Sequence, residues 1–175
     1  MFPILKTDRL ILREITSDDA GDVFRCFSND DVTQHYGLAS FSTIEQAQNL
    51  VASFSKNLQE KRGIRWGIER KETKGLIGTI GFNAWSPQHK RAEIGYELHP
   101  DYWRKGYAKE AITEVLSFGF NNLTLHRIGA IVFIDNEASN QLLMKLGFRK
   151  EGILKDYMYQ QGKAHDTYIY AKFKV

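Results

Sequence analysis

Seven residues, Trp103-Arg104-Lys105-Gly106-Tyr107-Ala108-Lys109, put three cations and a glycine where a helix begins. Downstream, Ala108, Ala111, Ile112, Val115, Leu116, Gly119 and Leu123 recur at three- and four-residue spacing, which marks one buried helical face. A helix start carries partial positive charge and ordinarily recruits Ser, Thr, Asp or Asn as its cap, with acids in the first turn. Each cation placed there costs roughly 0.3 to 1 kcal/mol unless an anion is near. A strand, a short loop with glycine and a helix N-terminus also form the arrangement that offers free backbone N–H groups to a phosphate. In that reading Gly106 lets the backbone approach closely, Ala108 keeps the next turn uncluttered, and Arg104, Lys105 and Lys109 add charge. A poorly capped helix with its cations in water would read the same, so this stretch alone leaves both open.

A second pattern lies just upstream. In residues 91–98, RAEIGYEL, period-two alternation puts Glu93, Gly95 and Glu97 on one face and Ile94, Tyr96 and Leu98 on the other. A carboxylate held in a strand beside an anion seat is a candidate proton acceptor. Glu93 and Glu97 are both candidates. The alternative for Glu93 is an ion pair with its neighbours Arg91 or Lys90.

Composition removes other chemistries. The histidines at 35, 89, 99, 126 and 165 show no ligand spacing, so no metal is expected. No GxxxxGK(S/T) loop and no GxSxG elbow occurs. A net charge of +3 without a basic, aromatic-interleaved stripe gives no case for nucleic acid. The lone Cys26 cannot form an internal disulfide and suits a reducing, cytoplasmic setting. The N-terminus reaches a charge by Lys6, and the longest aliphatic run, near IGAIVFI, is too short for a bilayer, so neither secretion nor a membrane is expected. A chain of 175 residues fits one domain, 1–175, able to bury about 70% of its unfolded surface.

The elements that must position these groups follow from periodicity and punctuation. A strand is predicted over 8–15, a helix capped by Ser17-Asp18-Asp19 through about 28, and a second helix from Ser42 or Thr43 to near Gly63. Strands at 64–70, 75–85 and 91–100 then make an antiparallel meander. The cationic stretch opens a helix to about 121, and 126–134 is a buried β-branched run. Asn136 caps a short helix ended by Gly147, and a hairpin turns at Gln161-Gly162. The order β-α-α-β-β-β-α-β-α-β-β predicts a mixed α/β sheet, mostly antiparallel, with one parallel crossover through helix 106–121.

EIGYELHPDYWRKGYAKEA resembles the acetyl-CoA-binding segment of the GCN5-related N-acetyltransferase (GNAT) superfamily, whose loop is usually written Q/R-x-x-G-x-G/A. Gly106 and Ala108 match its last two fixed positions, while Trp103 stands where Gln or Arg is usual, as in the RimJ/RimL-type ribosomal-protein N-terminal acetyltransferases. HRIGAIVFIDNEASNQLLMKLGFRKEG is similar to that branch's strand, N-x-x-S helix and L-x-K-x-G-F-x-x-E-G ending. The resemblance implies a V-shaped splay between parallel strands 91–98 and 126–134, with acetyl-CoA in the gap. Its pyrophosphate would lie on the amides of Arg104, Lys105, Gly106, Tyr107, Ala108 and Lys109. Main-chain groups near Leu98, and the Asn136 side chain, would hold the pantetheine arm.

By the same resemblance Glu93 stands where histone-type relatives carry a catalytic glutamate, which makes it the leading base, with Glu97 following. The superfamily's usual acid, a tyrosine seven residues after the asparagine, is replaced by Leu143, and Ser139 is the branch's alternative, unless it only supports the Asn136 cap. The glutamate that RimL-type enzymes carry in the next strand aligns with Met158. The implied activity is acetyl transfer from acetyl-CoA to a primary amine by direct attack in a ternary complex. The acceptor is a protein N-terminus or a small molecule such as a polyamine, aminosugar or antibiotic. A non-catalytic acyl-CoA-binding module is the alternative of another class, and a homodimer stays open.

Overall fold

The computed structural model describes all 175 residues. In chain order the elements are β1 (Leu5–Lys6), β2 (Leu10–Glu14), α1 (Ala20–Phe27), α2 (Asp30–Thr33), α3 (Ile44–Gln59), β3 (Ile64–Arg70), β4 (Thr73–Ser86), β5 (Arg91–Leu98), α4 (Tyr107–Asn121), β6 (Arg127–Phe133), α5 (Glu137–Lys145), β7 (Arg149–Gln160) and β8 (Lys163–Phe173). The strands form one sheet in the order β1-β2-β3-β4-β5-β6-β8-β7. Every neighbouring pair is antiparallel except β5 and β6. The mixed, mostly antiparallel sheet expected from the sequence is what forms.

Local chemistry sets the boundaries. Thr43 and Gln46 close a reciprocal capping box at α3, and the Asn136 side chain accepts from the Ser139 amide at α5. Before α1 the capping box is Thr16 with Asp19, one residue earlier than expected, and Ser17–Asp19 is a single 3-10 turn. The β7–β8 turn places both Gln161 and Gly162 at positive φ, 54° and 71°, as a two-residue hairpin loop requires. The two-residue β1 and four-residue α2 are too short to leave a periodic signal.

Two apolar layers sandwich the sheet. Helix α4 lays Ala111, Ile112, Val115, Leu116 and Gly119 on one face, against a core that includes Leu12, Trp66, Ile80, Phe82, Ile94 and Leu98. Gly119 permits this approach, because a Cβ there would lie 2.7 Å from the Phe82 ring. Each fully buried Ile, Val or Leu contributes about 1.5–3 kcal/mol, against roughly 0.3–1 for each ill-placed cation at the helix start, so the helix forms despite its charges. On the other face α1 and α3 bury Val23, Cys26, Phe27, Ala47 and Val51.

The feature that makes a site is a short parallel ladder. Strands β5 and β6 pair only at Arg91–Arg127, Ala92–Ile128 and Glu93–Gly129. Beyond Glu93, β5 stays bonded to β4 as far as Leu98, and β6 stays bonded to β8 as far as Phe133. The two strands therefore diverge into a V-shaped slot through the sheet.

Candidate functional site

A cleft of about 680 Å³ runs from the loop before α4, through the slot, to Gln34, His35 and Tyr36 on the opposite side. At its first end the amide N–H groups of residues 104–109 have no acceptor in the chain, and the first backbone bond of the helix is Glu110 to the Gly106 carbonyl, 3.1 Å. Gly106 caps the helix at φ 82°, a left-handed conformation that a Cβ would strain. Arg104, Gly106, Tyr107, Ala108 and Lys109 line the cleft here, with Lys145 facing them from α5. Lys105 does not: its ammonium lies 5.7 Å from the centroid of the Tyr102 ring, drawn to that aromatic face. Trp103, in the position usual for Gln or Arg, donates its indole N–H to the Leu98 carbonyl at 2.8 Å. One of the two lone pairs of Leu98 is thus already taken, and the loop is tied to the end of β5.

The first turn of α4 does hold an acid, Glu110, whose partners are distant in sequence and so leave no local signal. Its carboxylate accepts from the Arg9 amide at 2.8 Å, from Arg9 Nε at 2.7 Å and from the Thr7 hydroxyl at 2.5 Å. Burial tends to raise this carboxyl, but those bonds hold it below the ordinary range. Arg9 also donates through Nη1 to the Lys105 carbonyl at 2.8 Å and stacks 4.4 Å above the Tyr107 ring. A residue nearly a hundred positions away thus clamps the loop. Glu110 is spent on that clamp, so the cations and free amides of the loop still face the cleft.

Across the slot, the turn from β6 into α5 is set by Asn140, whose side-chain amide donates to the Phe133 and Ile134 carbonyls at 3.2 and 3.1 Å and whose oxygen accepts from Tyr170 at 2.7 Å. Asn136 accepts the Ser139 amide at 3.3 Å, leaving its own NH2 for the cleft it lines. The Ser139 hydroxyl lies 2.5 Å from that of Tyr96, which projects from β5 above the last parallel pair. Leu143, in the place of the usual tyrosine, is wholly buried in the core.

At the other end Glu97 is buried beneath Tyr36. It accepts from Arg65 Nη2 at 2.6 Å and from the Thr79 hydroxyl, while Arg65 also donates to Tyr36 at 2.7 Å, Thr79 at 2.8 Å and the Gly95 carbonyl at 3.1 Å. The loop carrying His35 is pinned by Gln160 of β7, which donates to the Thr33 and Leu38 carbonyls at 2.8 and 2.9 Å and accepts from the Gly37 amide at 3.2 Å. Met158 packs its methyl against Gly37 rather than entering the cleft. His35 Nε2 stands 3.5 Å from Asp135 across the slot.

Residues 9–149 match the family described as acetyltransferase (GNAT) domain. The chain belongs to the GNAT acetyltransferases. It is 60% identical over 174 residues, 99% of its length and 98% of the other's, to the Bacillus subtilis (strain 168) protein named Uncharacterized N-acetyltransferase YoaA. Among solved structures, the GNAT-family acetyltransferase from Bacillus anthracis is 30% identical, with a TM-score of 0.84 and 98% of each chain covered. More distant relatives are named for different acceptors. The ribosomal-protein-serine acetyltransferase of Escherichia coli (strain K12) is 33% identical over 55% of this chain and 54% of its own. The spermidine N(1)-acetyltransferase of Vibrio cholerae is 23% identical over 91% and 90%.

In this acetyltransferase the two glutamates of β5 have different surroundings. Glu97 lines the cleft, but both of its oxygens are engaged, and burial raises its carboxyl against the pull of Arg65. Glu93 does not enter the cleft. Set at the last parallel pair, it opens to a separate pocket of about 60 Å³ with Arg91, Arg127 and Gly129. Burial raises its carboxyl too, with Arg91 and Arg127 pulling the other way. Of the aromatic residues, Tyr36 walls the cleft, Trp66 is core and Tyr157 is exposed on β7. Cys26 is buried away from the cleft, with its thiol pushed up to about 12 by burial. No helix is long and apolar enough to cross a membrane.

Proposed function

We propose that this acetyltransferase takes acetyl-CoA as donor and transfers the acetyl group to a primary amine by direct attack in a ternary complex. The observation that carries this is one continuous cleft with unsatisfied amides 104–109 and cations at one end and, through the slot, Tyr36 and His35 at the other. Arg104, Lys109 and those amides would receive the pyrophosphate. The Asn136 NH2 and the remaining lone pair of Leu98 would hold the pantetheine arm.

An ammonium must lose a proton before it attacks, since alkyl amines titrate near 10 and α-amino groups near 8. Glu93 is the proposed base. Burial raises its carboxyl and so makes it a better proton acceptor than an exposed glutamate, and its separate pocket requires that a water carry the proton from the vertex of the slot. His35 is the second reading, favoured because it lines the cleft and faces Asp135. The buried Cys26 argues against a covalent thioester on the enzyme.

For the acceptor, a protein α-amino group of the RimJ/RimL type is supported by the shared N-x-x-S helix and by the ribosomal-protein relative, and a polyamine by the spermidine relative. Turnover of acetyl-CoA, followed as free thiol, against serine-led peptides and spermidine tests the choice. Peptide turnover with inert spermidine is expected, and the reverse overturns the assignment. On the productive acceptor, Glu93→Gln is expected to lower kcat about 100-fold with coenzyme A affinity intact. An unchanged rate from pH 6 to 9, with the loss appearing in His35→Gln instead, moves the base to His35.

A further inference from the structure

The hydroxyls of Tyr96 and Ser139 meet 2.5 Å apart on the face of the slot that also carries Leu98 and the loop before α4. The Ser139 backbone is held by the hydrogen bond its N–H donates to the Asn136 side-chain oxygen, so its hydroxyl is presented from a fixed helical turn. Either hydroxyl is placed to donate across this contact; the phenol, the far stronger acid, is the better donor, and with Tyr96 donating Ser139 is the acceptor. The Ser139 proton is then left to point elsewhere, and the open direction is the cleft. With Leu143 in the core, no hydroxyl other than Ser139 comes from the first two turns of α5.

We infer that Tyr96 is a positioning residue for the leaving group: it donates to Ser139 and so aims the Ser139 hydroxyl at the departing sulfur, as a hydrogen-bond donor to a thiolate and not as a source of its proton. The inference rests on the acetyl-CoA reading above. In the transfer, the amine lone pair forms the N–C bond, the C–S bond breaks, and its electron pair leaves on sulfur. The proton shed by the nitrogen goes to the base or to water, and the thiolate later takes one from solvent. Burial pushes the Tyr96 phenol up to about 12, with Ser139 pulling the other way. An alkyl thiol is a stronger acid than that phenol, so passing the phenol proton to the thiolate would run uphill. A thiolate needs no proton to depart, only a donor that stabilises its charge, and hydrogen bonding to the charged form lowers its pKa.

The test is the ionisation of coenzyme A bound to the enzyme, read as thiolate absorbance in the ultraviolet between pH 6 and 10, with desulfo-coenzyme A as the blank. In the wild-type protein the bound thiol is expected to ionise below free coenzyme A. Tyr96→Phe and Ser139→Ala should each raise it by about half to one unit and lower kcat about tenfold, with coenzyme A affinity at pH 6 within twofold. The double variant should go no further than either single one, and Ser139→Thr should keep the wild-type ionisation. Equal ionisation in wild type and Tyr96→Phe, or additive losses in the double variant, overturns the inference. Should Tyr96→Phe fail to fold, an unshifted thiol in Ser139→Ala does the same. Failure of coenzyme A to bind the wild-type protein at all would instead overturn the donor assignment.

Discussion

Removing Arg9 should show how much of the anion seat is held from outside its own loop. Its guanidinium joins the Lys105 carbonyl to Glu110 and covers Tyr107, and its Nη2 lies 3.2 Å from where a Cβ on Gly106 would stand. The Arg9 side chain is 46% exposed and that of Glu110 18%. An ion pair so placed contributes about 0.2–1 kcal/mol. The bond to the Lys105 carbonyl, discounted for exposure, adds about 1 kcal/mol, and the stacking on Tyr107 about 0.5.

The sum, about 2 kcal/mol, falls on the loop that carries the free amides. At about 1.4 kcal/mol per decade, Arg9→Ala is expected to weaken coenzyme A binding roughly 10- to 30-fold. The kcat at saturating acetyl-CoA should change less than twofold, because Arg9 does not line the cleft. Arg9→Lys keeps the charge but not the planar fork, and should lose most of the same affinity. Equilibrium titration with coenzyme A beside a thermal melt is the assay. Affinity within twofold of wild type, with a lowered melting temperature, would refute the clamp and leave Arg9 as an ordinary stabilising contact.

Three further outcomes are expected. Lys109→Glu should weaken coenzyme A binding about tenfold or more while Lys105→Glu changes it less than threefold, since only Lys109 lines the cleft; equal effects in a titration would contradict that division. Gln160→Leu leaves two carbonyls and an amide of the His35 loop without their partner, so it should cost about 2–3 kcal/mol in urea unfolding and raise the acceptor KM more than that of acetyl-CoA. Asp19 is raised by burial, yet bonds from Arg13 at 2.9 and 3.0 Å and from the Thr16 amide at 2.8 Å outweigh this and hold it below its ordinary range. With the folded value depressed, its contribution is complete above the unfolded value near 3.9 and disappears as pH falls through the lower folded one. Asp19→Asn should therefore cost about 2 kcal/mol from pH 5 to 8, with the gap to wild type closing below pH 4; a gap that persists at pH 2 in urea melts would show packing, not charge, to be responsible.

Much of this molecule is determined locally. The apolar spacing from Ala108 to Gly119, the Asn136 cap, the turn at Gln161-Gly162 and the alternation in 91–98 all depend on neighbours within a few residues, so they are legible in the sequence and recur in the fold. The cationic loop with its glycine belongs to the same class, and so does the resemblance that located it.

What the sequence could not determine is which distant groups meet. Period two separates Glu93 from Tyr96, yet it cannot say that the β5–β6 ladder stops at Glu93–Gly129, and that stop decides that Tyr96 faces the slot while Glu93 opens to a different pocket. Glu97 repeats Glu93 in pattern, but only folding brings Arg65 and Thr79 onto its oxygens. Arg9 on Glu110 and Gln160 on Thr33 join residues about a hundred or more positions apart. Such pairings leave no periodic trace, because they arise where a twisted sheet carries strand ends past one another. Residue types and local spacing determined the kind of chemistry, and sheet order and the length of one parallel ladder decided which side chains are in place to perform it.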